Sequence, residues 1–585
     1  MVRKRVFPSA IQQRRYMTRD DETRLRRPDG HHAHPIVPDL ADAFVRSRLG
    51  RRTFLQEVCR VGVSAGVAGG FLTAMTGVAP AAVVSGSESK VEKPRRGGEL
   101  RWSMPVREIT DPATFPVEDE SNITRHLVEY LTWTDADNIT HPYLAESWEV
   151  SEDLRIWTFH LRRGVTWSNG DAFTADDVAF NVRRWLDVNT ASSNRTLFAS
   201  MLERDDQGNE YAPKGAVEVL DSHTVCLHMV RSDAAIPENF FNYPTAILHR
   251  RFEEEGGDLA ANPVGTGPYR LDHIRVGESA RLVRRDAPYW GRAPYLDAIR
   301  FVDHGSEATT ALAALVSDQV DLVQHVDPRQ ATLLEGRDSL HRVGVDAADT
   351  SVARMRVDKP PFNDIRVRQA LTACADRSRL LTIGYGGHGQ VAEDHHVAPV
   401  HPDYAPLPKL ERDPERARSL LREAGHPNGL DIGIAVGNTT GKWEVETIQV
   451  LREQLAPAGI RLAIETMPAS RYWDIWKDVP FGFTAWLHRP LGIMVPNLAY
   501  RSGGTWNETR YANPRFDAAL DAANAELDPD ARSQKMERVE RILQNDAVIL
   551  QPLWRRPYSG IAERVQGFKR HPSGYALTHG IWLSG

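Results

Sequence analysis

Several groups of residues have the types that catalysis or metal binding uses, but none has the setting that chemistry needs. Gly62, Val63, Ser64, Ala65 and Gly66 have the spacing of a hydrolase nucleophile elbow, which requires a strand-to-helix turn to expose its serine; here they fall in an apolar run near the N-terminus. Gly384, Gly386 and Gly389 have dinucleotide-binding spacing, yet they follow a helical stretch, Arg377 to Ile383, and no helix pattern opens after them, so they read as a loop. His395 and His396 are adjacent and lack the spacing and glutamate of a zinc-protease helix. His31, His32 and His34 cluster in a polar, arginine-rich stretch with no further groups to orient their imidazoles. The three cysteines, Cys59, Cys226 and Cys374, form neither CxxC nor zinc-knuckle spacing, and Cys226 and Cys374 are expected as buried free thiols. The residues therefore nominate no enzyme, metal or cofactor.

An enzyme is not excluded by this, but a binding site is the reading to build on, and the elements that would form it can be read from periodicity. Trp157, Phe159 and Leu161 alternate with Thr158, His160 and Arg162, and Asn169 with Gly170 supplies a turn, which predicts antiparallel sheet. Thr174 and Asp177 make a capping-box pattern ahead of Val178, Val182, Trp185 and Leu186 at helical spacing. Further on, Ile299 and Phe301 alternate, Ser306 can cap a helix carrying Leu312, Leu315 and Val316, and Asp321 to Val323 resumes a strand, which predicts a βαβ unit. The same grammar returns with Ile432, Ile434 and Val436, a helix bearing Val445, Ile448, Leu451 and Leu455, an ending at Gly459, and Leu462 with Ile464. Between the two units, Asp413 and Pro414 open a helix that Gly425 and Pro427 close. Mixed α/β lobes of this kind bind ligands beyond the carboxyl ends of strands or between domains.

Size and charge agree with two lobes and a soluble bulk. At 585 residues the chain exceeds the roughly 250 to 300 residues at which one core stops growing. Its 41% hydrophobic and 26% charged residues lie in the globular range, which argues against a disordered or integral membrane protein. The net charge is -6 although the first stretch is arginine-rich, so the remainder is acidic and no nucleic-acid partner is expected.

The N-terminal stretch looks like a twin-arginine export signal. Gly50, Arg51, Arg52, Thr53, Phe54 and Leu55 form the paired-arginine box, Val61 to Val84 is an apolar run diluted by Gly, Ser and Thr, and Ala79, Pro80 and Ala81 offer a cleavage site near Ala81. The glycines argue against a membrane anchor. Gln56, Glu57 and Val58 ahead of Cys59 argue against a lipid anchor. Residues 83–98 read as a linker, with the first strand at Glu99 to Met104.

Several blocks in order resemble the peptide, nickel and oligopeptide class of extracytoplasmic solute-binding proteins, family 5, over most of Gly97 to Leu583. They are Gly97 to Arg101, Asp111 with Pro112, Leu144 to Trp148, Thr158 to Gly164, Trp167 to Val178, Pro263 to Tyr269, Pro361 to Leu371 and Asp413 to Gly429. The resemblance implies an α/β, two-lobed periplasmic-binding-protein-like fold with an additional N-terminal subdomain. It implies a signal and leader over 1–82, an N-terminal lobe of 99–272 plus 555–585, and a C-terminal lobe of 273–554, with crossings near Tyr269 to Asp272 and Leu553 to Pro557. It also implies lobe closure on a small solute or short peptide, delivery to ABC permease subunits with their ATPases, and a monomeric periplasmic protein; contact with the twin-arginine translocon during export and the lack of a lipid anchor are expected from the leader residues instead.

Site residues follow from the same resemblance. In peptide-binding members a tryptophan followed three residues later by an aspartate holds the peptide ammonium. Trp486 matches, His488 follows it, and the aspartate position is Arg489, which reverses the charge. An arginine fork suits a carboxylate or phosphate, so Arg489 either meets an anionic group of the ligand or forms a salt bridge within the protein. Glu118, with Asp119 and Glu120, either faces a cationic part of the ligand or belongs to a solvated acidic loop. Tyr500, Arg501 and Trp506 either cover a ligand face or pack, and Tyr385 is a further candidate. The alternatives to a peptide are a non-peptide anionic solute (an opine, a modified sugar or a metal complex) and a sensory role.

Overall fold

The structure, a computed structural model, describes residues 24–26, 32–46, 48–76, 93–305 and 307–585. The cleavage site near Ala81, linker residues 83–92, His31 and the expected cap Ser306 lie outside the described residues.

Two lobes are built on two open sheets. The N-terminal lobe has a seven-stranded sheet in the order Tyr269–Arg275, Ser279–Arg284, Ala298–Val302, Glu99–Ser103, Leu322–Val326, Tyr558–Ala562, Leu340–Gly344. The C-terminal lobe has five strands in the order Ile460–Thr466, Leu430–Val436, Phe481–Trp486, Thr350–Met355, Ile549–Leu550. The chain therefore first changes lobes between Gly344 and Thr350, and returns between Leu550 and Tyr558. The expected crossing near Tyr269 to Asp272 is wrong. The strands from Tyr269 to Gly344 stay in the first sheet because Glu99–Ser103 pairs in parallel with Ala298–Val302 and with Leu322–Val326. The change of sheet falls near residues 345–349, and the chain re-enters the first sheet at Tyr558–Ala562. An isolated bridge between Asp349 and Arg555 ties the two crossing segments.

The subdomain follows its periodicity closely. The strands Ala145–Val150, Ile156–Leu161, Thr224–His228 and Val217–Asp221 form an antiparallel sheet with Trp157, Phe159 and Leu161 inward. The helix Ala175–Leu186 covers it, opened by the reciprocal Thr174 and Asp177 capping box. Its Val178, Val182 and Trp185 are fully buried, each stabilising by about 1.5–3 kcal/mol relative to exposure. Gly265 lies where the loop passes under Leu127: a Cβ there would stand 1.9 Å from the Leu127 carbonyl oxygen, so no side chain fits.

Both expected βαβ units form. Leu430–Val436 and Ile460–Thr466 are adjacent and parallel around the helix Trp443–Leu455. In the other unit, Glu99–Ser103 inserts between Ala298–Val302 and Leu322–Val326, a long-range pairing that local pattern does not carry. All three cysteines are buried, unpaired thiols. Among the described residues no helix is long and apolar enough to cross a membrane.

Residues 32–46 and 48–76 are folded onto the body. Helices Val37–Val45, Arg51–Arg60 and Ala65–Thr76 precede the lobes. Phe44, Phe54 and Phe71 pack together and share one apolar cluster with Trp148, Phe240, Trp486 and Leu543.

Candidate ligand-binding crevice

Two groups of buried polar residues face each other where the lobes meet. The first is built around Arg489, three residues past the end of the strand Phe481–Trp486. Its guanidinium lies 5.6 Å from the ring centroid of Tyr243, a residue of the N-terminal lobe. Nη1 donates to the His488 carbonyl at 3.4 Å, while Nε has no partner although the residue is 4% exposed. Among the described residues no carboxylate pairs with it. His488 bridges the lobes. The Ala348 amide donates to its Nδ1 at 2.9 Å, which leaves Nε2 to donate to Asn138 Oδ1 at 3.0 Å. Burial, with His401, His571, Arg52 and Arg489 nearby, holds this imidazole well below its ordinary pKa and neutral.

The second group gathers at the crossing segments. Asp349 pairs with Arg555, Arg570 donates to the Gln324 carbonyl and, at 3.2 Å, approaches His325 Nδ1, and Tyr385 stands edge-on to Trp443 at 5.0 Å. Glu118 begins the helix Glu118–Thr124, whose seven residues are all buried, so the solvated-loop reading of Glu118, Asp119 and Glu120 is corrected. Asp119 pairs with Arg107 at 3.1 Å. Glu118, Asp119 and His325 offer ligand atoms within 4.8 Å of one another, the geometry of a metal site. The guanidiniums of Arg107 and Arg570 beside them already supply positive charge, which opposes a cation there.

Burial raises the Glu118 carboxyl to about 8, helped by the Asp119 charge, and Glu120 to about 7. An acid raised on folding holds its proton more tightly in the folded chain. Its contribution is complete below the ordinary carboxyl range and is lost as pH rises towards 8, by up to about 1.4 kcal/mol per pH unit. Chemical denaturation of Glu118→Gln is expected to show a shallower decline in stability between pH 5 and 8 than the parent; parallel curves would remove Glu118 as the titrating group.

The remaining expected residues lie behind this crevice. Trp486 gives its indole N–H to Glu508 at 2.9 Å, and its ring meets Trp506 and His396. Tyr500 is fully buried with its hydroxyl on His396 Nε2 at 2.8 Å, so it packs. Arg501 pairs with Asp521 at 2.8 Å and lines a separate pocket with Arg231 and Asp233. Residues that sequence reasoning missed include Tyr243, Tyr575, Arg125, Asp349, Arg555 and Arg570. Arg125 lies 4.1 Å from the Tyr575 ring centroid, with Nε and Nη1 unpartnered. No local pattern marks them; the family resemblance alone implies that the last residues return to the N-terminal lobe.

Two α/β lobes joined by two crossing segments, with buried charges and aromatic rings between them, define a protein that holds a solute in a crevice. The chain belongs to the bacterial extracellular solute-binding proteins, family 5, whose middle region matches residues 140–507. It is 25% identical over 472 residues to heme-binding protein A of Haemophilus influenzae, covering 76% of this chain and 84% of that one. The fold is similar to the ABC transporter-associated periplasmic binding protein DppA from Helicobacter pylori in complex with peptide STSA, with a TM-score of 0.73, 21% identity and coverage of 84% of this chain and 99% of that one. It is also similar to AgaA in complex with agropinic acid from A. tumefaciens R10, with a TM-score of 0.74, 21% identity and coverage of 83% and 99%.

Proposed function

We propose that this chain is the periplasmic, solute-capturing subunit of an ABC importer, closing its lobes on a peptide or peptide-like solute that presents an anionic group to Arg489. The observation that carries the reading is a guanidinium buried at the lobe interface with, among the described residues, no carboxylate paired to it. Burying an unpaired cation is costly, and a bound carboxylate offsets that cost with two parallel charge-assisted hydrogen bonds.

The names of the similar proteins support the class but differ in cargo: haem, a peptide and agropinic acid. A second reading, a non-peptide anionic solute, is favoured by Arg489 standing where an aspartate would hold an ammonium. Binding without turnover, a monomeric state, handover to permease subunits, and export by the twin-arginine route through the Gly50 to Leu55 box without a lipid anchor complete the proposal.

Native mass spectrometry of the purified protein, followed by calorimetry with the solutes it retains, tests it. Retained solutes are expected to carry a carboxylate or phosphate, and masking that group should abolish binding. Equal binding of masked and unmasked solutes would overturn the assignment.

A further inference from the structure

The helix Arg51–Arg60 reads as part of an export signal, yet it carries two charges that the body is built to receive. Glu57 and Arg60 are 1% and 0% exposed. Arg60 pairs with Glu57 at 2.6 Å and reaches Glu238 of the N-terminal lobe at 3.4 Å. Glu57 pairs at 2.6 Å with Arg532, on the helix Pro529–Asp546 of the C-terminal lobe, and Arg532 lies 3.6 Å from Asp403. One ion chain thus runs from one lobe through the N-terminal helix to the other lobe.

Apolar and backbone contacts fix the helix in the same place. Phe54 and Val58 are fully buried in the cluster that both lobes share. The Trp148 indole donates to the Arg60 carbonyl at 2.8 Å. Gly62, with φ at +94°, lets the chain pass so close to Trp148 that a Cβ would stand 2.3 Å from its carbonyl oxygen. Arg52 and Gln56 both donate to the Asp137 carbonyl, at 2.9 and 3.2 Å, next to the Asn138 that meets His488 across the crevice.

Buried charges persist only where each finds a partner, and removing one partner leaves the other costly. Without the helix, Glu238 and Arg532 each lose the counter-charge it brings. We propose that the helix Arg51–Arg60 is a strap that holds the two lobes together while the N-terminal stretch remains attached, so that solute exchange requires its release. The twin-arginine box is then also the start of a clamp: Arg51 and Arg52 are exposed while Phe54 is withdrawn into the core.

The full chain tests this by amide hydrogen exchange and small-angle scattering, against a double variant, Phe54→Asp with Val58→Asp, and the milder Glu57→Gln. In the parent, amides 54–61 are expected to be protected; exchange as fast as in an unstructured peptide overturns the proposal. The double variant should lose that protection and gain a larger radius of gyration, and freed amides with an unchanged scattering curve overturn the strap. Should the double variant fail to fold, Glu57→Gln decides. Its exchange is expected to rise at least roughly tenfold both at 54–61 and across the interface at 532–540. Acceleration confined to 54–61, or none at all, overturns the coupling.

Discussion

Arg489→Ala is expected to weaken binding of an anionic solute by about 2–5 kcal/mol, roughly 30-fold to several-thousand-fold, because it removes a guanidinium at the lobe interface that lies over Tyr243 and, among the described residues, has no acid paired to it. The solute-free protein should behave in the opposite way. Arg489 is buried with an unpartnered Nε, so its removal is expected to leave folding stability unchanged or to raise it by about 1 kcal/mol. Arg489→Lys keeps the charge but loses the planar fork, and an intermediate loss is expected. Arg489→Asp should transfer preference towards solutes with a free ammonium. Calorimetry for binding and chemical denaturation for stability separate the two effects. Loss of both together would make Arg489 a structural residue, and unchanged affinity in Arg489→Ala would dismiss it from the site.

The elements behind this crevice were readable where a residue's partners lie close in sequence. Thr174 and Asp177 cap their own helix, and Leu430–Val436 pairs with the strand one helix later. Pairings over a long interval were not readable. The strands Tyr269–Arg275 and Ser279–Arg284 join a sheet that is set by Glu99–Ser103 meeting Ala298–Val302 about two hundred positions away. The first crossing was misplaced for that reason. Of the two readings open for Glu118 to Glu120, the solvated loop fails because Arg107 and the returning segment around Gly574 enclose them. Glu57 and Arg60 carry no local signal of their roles, because their partners Arg532 and Glu238 lie hundreds of residues on. Arg489 was legible as a charge reversal within a motif, while its neighbours Tyr243 and Tyr575 carried no signal.

The same reasoning about buried charge gives the largest expected stability effect in the C-terminal lobe. Arg354 is fully buried on Thr350–Met355, pairs with Glu508 at 3.0 Å, and donates to the carbonyls of Val479 and Trp476. Glu508 in turn accepts from Thr484 at 2.7 Å and from the Trp486 indole, so this pair fixes the strand end that presents Arg489. Arg354→Met is expected to cost about 3–5 kcal/mol at neutral pH, because it strands a carboxylate in the core. Burial already raises the Glu508 carboxyl, and losing the cation raises it further. The stranded acid can then fold protonated at low pH and must do so against solvent at high pH, so the penalty should be smaller at pH 5 than at pH 8. Adding Glu508→Gln removes the stranded charge and should recover most of the loss, with little remaining pH dependence. Denaturation curves of the single and double variants at both pH values measure this. A single variant costing under about 1 kcal/mol, or a double variant no better than the single, would mean that packing around Trp486 holds this strand end and the ion pair does not.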